Sequence, residues 1–94
     1  MANVIVRVEL HGATTETQYQ ALHQAMAAIG FERTIVDGNS GTRKQLPTAM
    51  YYSNRYANVP SARDAAWKAA SGLGIARAVI AAGDVIAWEG LTPA

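Results

Sequence analysis

Two histidines and seven acids are the side chains in this sequence best suited to proton transfer. His23 sits four residues after Tyr19 and three before Met26, at the edge of an apolar stripe. An unperturbed imidazole titrates near neutrality, so His23 is a candidate general acid or base. The competing reading is a half-buried helix residue bonded to water. His11 closes the first strand beside a loop, where a solvated role fits it. Arg7 and Glu9 share one strand face, where cross-strand ion pairing explains them. If that face is a dimer or ligand surface, they are its polar centre, and both join His23 as catalytic candidates. No HxxxH, HExxH or paired-carboxylate spacing occurs, so neither a metal site nor any cofactor is expected. No Gly-rich phosphate loop leads from a strand into a helix.

The clearest local signal is Gly41-Thr42-Arg43-Lys44-Gln45-Leu46. Two adjacent cations followed by an amide, on a loop, can contact a phosphate and a base edge. Arg33 and Arg55 fall on the strands that feed this loop. A basic loop is also simply a soluble one. Tyr51, Tyr52 and Tyr56 can stack on bases, but Tyr51 and Tyr52 point opposite ways, so at least one belongs to the core. Trp67 and Trp88 read as packing residues.

The elements that must position these residues are legible from periodicity. From Asn3 to His11 the chain alternates, with Val4, Val6, Val8 and Leu10 on one side and Ile5, Arg7, Glu9 and His11 on the other. That period of two marks a half-buried strand. Thr14 or Thr15 caps a helix after Gly12, and Thr15 with Gln18 fits a capping box. Tyr19, Leu22, Met26 and Ile29 then draw one stripe, and Gly30 stops the helix. A second strand spans Phe31 to Asp37. A polar tip follows from Gly38 to Gln45. Pro47 delays the third strand to Thr48–Tyr56, and the second and third strands are expected to form a hairpin. Pro60-Ser61 opens a second helix, with Ser61 as N-cap and Asp64 in its first turn. Its apolar face carries Ala62, Ala66, Ala69 and Leu73. Ile75–Ala82 is a fourth strand. Gly83-Asp84 reads as a type II′ turn into a short fifth strand, Val85–Glu89.

This order predicts an α+β fold: a ferredoxin-like βαββαβ plait with a short extra C-terminal strand and both helices on one face of an antiparallel sheet. Residues 1–90 form a single domain, and residues 91–94 are expected to fray. The chain has 94 residues, half of them hydrophobic, with many alanines. A core this thin is often completed by pairing, so a homodimer is expected; in a non-enzymatic module the alanine-rich second helix and the final hairpin with Trp88 would form its interface, and in an RNA-binding protein two basic hairpins would flank a shared groove. Cysteine is absent, which fits a reducing, cytoplasmic setting. The N-terminal run is interrupted by Arg7 and does not read as a signal peptide. No stretch approaches the roughly 20 apolar residues of a membrane helix. The net charge of +1 provides no bulk pull toward nucleic acid, so any such binding needs a local basic patch.

The stretch FERTIVDGNSGTRKQL, Phe31 through Leu46, resembles the GhoS family, the antitoxins of type V toxin–antitoxin systems. Phe31, Ile35, Val36, Asp37, Gly41, Lys44, Gln45 and Leu46 follow the family pattern of an aromatic, an I-V-x-D strand and a G-x-x-R-Q-L turn, with Asp37 one residue earlier than the pattern has it. Lys44 stands where the family has arginine, with Arg43 just before it. The resembling stretch is about a sixth of the chain, and the order of elements agrees over nearly all of it. The resemblance implies a ferredoxin-like fold and an endoribonuclease that cleaves single-stranded toxin mRNA. Arg43, Lys44, Gln45, Arg33 and Arg55 would be the RNA contacts. Two departures stand out. The first helix lacks the arginines tied to activity in that family, and His23 falls about where one would. The aspartate that ends the first strand in such folds has Glu9 as its nearest counterpart. A non-enzymatic dimeric module that binds a protein or a small ligand is the alternative.

Overall fold

The computed structural model describes residues 2–12, 15–37, 40–83, 91 and 93–94. The elements are β1 (Ala2–Leu10), α1 (Glu16–Ala28), β2 (Thr34–Val36), β3 (Arg43–Gln45), β4 (Met50–Tyr56), α2 (Val59–Ser71) and β5 (Arg77–Gly83). The chain is therefore α+β, with two helices and antiparallel strands. A three-stranded sheet runs in the order β4-β1-β5, and β2 and β3 form a separate two-stranded ribbon.

β1 is central because its alternation gives it one wholly apolar side. Val4, Val6 and Val8 are fully buried and Leu10 nearly so. They form one cluster with Leu22 and Met26 of α1 and Ala62, Ala66 and Ala70 of α2, which places both helices over the same side of the sheet. The three alanines leave α2 almost no side-chain bulk, so it can sit close to β1. α1 reaches the sheet through longer side chains.

The local signals act as read at α1. The Thr15 side chain accepts from Gln18 N–H, and the Gln18 side chain accepts from Thr15 N–H, completing the box. Ile29 is the C-cap, and Gly30 follows at φ 93°, a left-handed conformation that only glycine adopts without strain. At α2 the N-cap is Asn58 rather than Ser61. Asn58 Oδ1 accepts from Ser61 N–H at 2.8 Å, and Pro60 fits within the first turn, where its missing N–H costs nothing.

Pairing departs from the expected hairpin. β2 does not pair with β4 along its length but with β3, within the stretch read as a polar tip: Thr34↔Gln45, Ile35↔Lys44 and Val36↔Arg43. Burial explains this, because Ile35 and Leu46 both turn inward and anchor a two-stranded ribbon, while Val36 beside Ile35 is exposed. One bridge, Glu32↔Tyr52, ties the ribbon's base to β4. β4 pairs with β1 instead, and β5 flanks β1 on its other side. The tail expected to fray has two residues placed against β3: Pro93 bridges Lys44, and Ala94 N–H donates to the Arg43 carbonyl at 3.2 Å. The proposed Gly83-Asp84 turn and the strand Val85–Glu89, with Trp88, lie outside the described residues, apart from Gly83, which ends β5.

A β-bulge in β4 sets which tyrosines face inward. Val4 pairs with Ser53 but Ala2 pairs with Tyr56, so β4 carries an extra residue opposite β1. Tyr51 and Ser53 point into the core, the phase then shifts, and Tyr56 rather than Arg55 follows them. The Arg55 N–H at the bulge is taken by buried Ser53 Oγ at 3.2 Å. Tyr56 stacks on Phe31 with centroids 5.3 Å apart and donates to the Ile29 carbonyl at the end of α1.

Leu22 joins α1 to this core and is fully buried. Leu22→Ala is expected to cost about 2–5 kcal/mol and to lower the thermal midpoint by about 10 °C or more. Gln24→Ala, at an exposed position of the same helix, should stay within about 0.5 kcal/mol in the same calorimetric comparison.

Candidate functional site

His23 projects from α1 toward β4 because it lies one residue beyond Leu22, at the edge of the helix face that packs on the sheet. There its Nδ1 is 2.6 Å from the hydroxyl of Tyr51, whose side chain the alternation of β4 drives inward. The two rings are 5.7 Å apart, and Tyr19, one turn before His23, lies 6.5 Å from it. Arg33, in the segment leading to β2, is near enough for its charge to act on both His23 and Tyr51. The fold thus gathers an imidazole, a phenol and a guanidinium from three separate segments.

Electrostatics fix the protonation states. His23 is held below its ordinary pKa of 6.5, first by desolvation and then by Arg33, while Glu16 acts the other way. Tyr51 is pushed well above the usual phenol range by burial, so it stays protonated. Near neutral pH the pair is therefore a neutral imidazole and a neutral phenol. In one tautomer the Tyr51 O–H donates to Nδ1. In the other, Nδ1–H donates to the Tyr51 oxygen and Nε2 carries the lone pair, the form a general base requires.

The other expected site residues are dispersed. Arg7 and Glu9 lie on the opposite side of the sheet from His23, so no single site holds all three catalytic candidates. There Ile5 sits between Tyr52 and Ala82, Arg7 between Met50 and Ile80, and Glu9 beside Ala78. Glu9 pairs with His11 at 3.5 Å, an exposed contact of little energetic weight. Arg43 donates to Thr34 Oγ1 at 2.9 Å and pairs with Glu32 at 3.6 Å. Lys44 is half-buried beside Pro93. The Gln45 amide donates to the Arg33 carbonyl at 3.2 Å, so its N–H group holds the ribbon to the Arg33 segment. Arg55 lies against Gly30, beside an open depression bounded by Ile29, Phe31 and Glu32, away from the ribbon. Trp67, expected to pack inside, is 46% exposed, with the Arg77 guanidinium 4.3 Å over its ring. Its line of the helix, one turn from Arg63 and Ser71, points away from the alanine face. Among the described residues, no three His, Asp or Glu side chains gather to hold a metal ion, and no helix is long and apolar enough to cross a membrane.

The residue that sequence reading missed is Tyr51. Its alternation with Tyr52 was visible, but its bond to His23 joins positions 28 apart and has no local signal. No family model, curated protein or solved structure matches this chain.

The depressed pKa of His23 carries a sign. The folded state binds this proton less tightly than the unfolded chain, so the associated stability is complete above pH 6.5 and is lost as pH falls through the folded-state value. The thermal midpoint should fall on acidification below pH 6.5, and less so in His23→Gln. In an NMR titration of the His23 ring, Arg33→Ala should move its pKa upward, toward the ordinary value.

Proposed function

We propose that this chain is a GhoS-like cytoplasmic antitoxin that binds single-stranded RNA, with toxin mRNA as the target class, and cleaves it without a metal. The observation that carries the reading is the His23–Tyr51 hydrogen bond beside Arg33, at the base of the ribbon that holds the GhoS-like stretch. The strand order supports the same reading: β5-β1-β4, with the segment before β2 bridged at Glu32 to the other edge of β4, follows a ferredoxin-like plait if β3 is taken as an outgrowth of the ribbon.

In this reading Arg43 and Lys44 hold backbone phosphates, and Gln45 keeps Arg33 in place while its carbonyl oxygen faces a base edge. Neutral His23 takes the proton of a ribose 2′-hydroxyl through Nε2, while Nδ1–H donates to Tyr51. The 2′-oxygen attacks the adjacent phosphorus, the bond to the 5′-oxygen breaks, and that oxygen takes a proton from the imidazolium or from water. The product ends in a 2′,3′-cyclic phosphate. Arg33 offsets the charge that builds on the phosphoryl oxygens. Tyr51 is a positioning residue, because its hydroxyl touches the imidazole and not the RNA. Arg7 and Glu9, on the far face, take no part. A second reading, a dimeric module without catalysis, is favoured by the exposed apolar side of the sheet, where Ile80 is 67% accessible.

The test is incubation of the pure protein with mixed-sequence single-stranded RNA, with and without chelator. Cleavage should survive the chelator, leave a cyclic phosphate end, and fall by about 10²–10⁴-fold in His23→Ala. Absence of cleavage together with salt-independent RNA retention would leave the module reading standing. In a filter-binding salt series, Arg43→Ala with Lys44→Ala should weaken binding and reduce the slope of log K on log salt by up to about 2.

A further inference from the structure

We propose that the outer face of the β4-β1-β5 sheet is a self-complementary surface on which a second copy of this chain packs, sheet against sheet. The idea is independent of what His23 does. Both helices cover the other side, and on this one Ile80 stands 67% exposed across β1 from Met50, with Arg7 between them and Ile5 two residues along the strand. Arg7, among these aliphatic side chains, has no ion-pair partner among the described residues, and the only partner of Glu9 there is exposed His11.

The occupant follows from the pattern of charge and size. Arg7 and Glu9 are two residues apart on one strand, about 7 Å, and stacked sheets sit about 10 Å apart. Consider a two-fold axis midway between two such sheets, running across the strands level with Val8. It reverses strand direction and sets each Arg7 over the partner subunit's Glu9. In an isologous contact both pairs form together. Ile80 is the β5 neighbour of Arg7, and Ala78 is that of Glu9. The same axis therefore sets the exposed Ile80 over the small residue Ala78. One operation matches opposite charges and places large against small.

A polyanion fits this face poorly. It holds an acid at its centre, and Tyr52, its one aromatic among the described residues, already donates its hydroxyl to Asn3 Oδ1 at 2.6 Å. The paired stretch covers roughly 20 by 14 Å in projection. That is well below the roughly 800 Å² a side of a standard interface, so a weak, transient pairing that dissociates in the micromolar to millimolar range is expected. Packing on this face leaves His23, on the helix-covered side, on the outside of the pair. Ala62, Ala66 and Ala70 of α2, by contrast, are already buried within the chain and are not free for such a contact.

The test is sedimentation velocity from micromolar to near-millimolar concentration, with circular dichroism to verify folding. The wild-type chain should show a monomer–dimer equilibrium, and Ile80→Lys should be monomeric throughout. Arg7→Glu alone and Glu9→Arg alone should each weaken association by about tenfold or more. The double variant R7E/E9R should recover to near wild type, because the exchanged charges still meet across the axis. Recovery also shows that neither single change acts by unfolding the chain. A wild type that stays monomeric, a dimer unaffected by Ile80→Lys, or a double variant no better than the singles would overturn the proposal. So would an Ile80→Lys chain that loses RNA retention while the wild type shows no dimer, which would give the face to RNA.

Discussion

The whole domain depends on the one-sided burial of β1. This strand is paired on both edges, so its backbone groups are satisfied by the ladder, and its side chains alone decide which way the sheet faces. Val4, Val6, Val8 and Leu10 must all point one way, and both helices have to lie there to cover them. A one-residue slip against β4 or β5 would bury Arg7 and Glu9 unpaired and expose three valines. Register is thereby fixed over the length of the strand, and the positions of Tyr51, Ser53 and Val79 relative to β1 follow from it.

The candidate site is an edge of that core, not an addition to it. Tyr51 is fully buried, packs in the same cluster as Leu22 and Met26, and yet presents its hydroxyl to His23. Packing of the tyrosine ring therefore fixes the oxygen to which the imidazole bonds. The burial that holds the pair also keeps it neutral, and Arg33 then stands as a positive charge beside two uncharged groups. Such a site suits an anionic ligand that brings its own negative charge.

The two sides of the sheet differ in chemistry because the two phases of the alternation differ. One phase is aliphatic and meets helices. The other mixes Ile5, Met50 and Ile80 with Arg7 and Glu9, too apolar for a plainly solvated surface and too charged for a core. Chemistry on one side and association on the other would not compete for space, as the inner face is closed by α1 and α2.

Local order in this chain was determined by its sequence. The strand at β1, the stripe of α1, the Thr15–Gln18 box, the stop at Gly30 and the alanine face of α2 rest on contacts three or four residues apart, or on a period of two, and such signals can be read along the chain. A period gives faces only relative to one another. It showed that Tyr51 and Tyr52 oppose each other, but not which was inside. That needed the pairing of Val6 with Tyr51, and the inward turn of Tyr56 needed the bulge beyond Ser53; both depend on a strand far away in sequence. The pairing of Arg43–Gln45 with β2, the cap at Asn58 in place of Ser61, and the separation of Arg7 and Glu9 from His23 were settled in the same way. The tertiary structure alone brought His23, Tyr51 and Arg33 together, because their proximity is the product of three elements packing on one strand and leaves no trace in the spacing of the residues themselves.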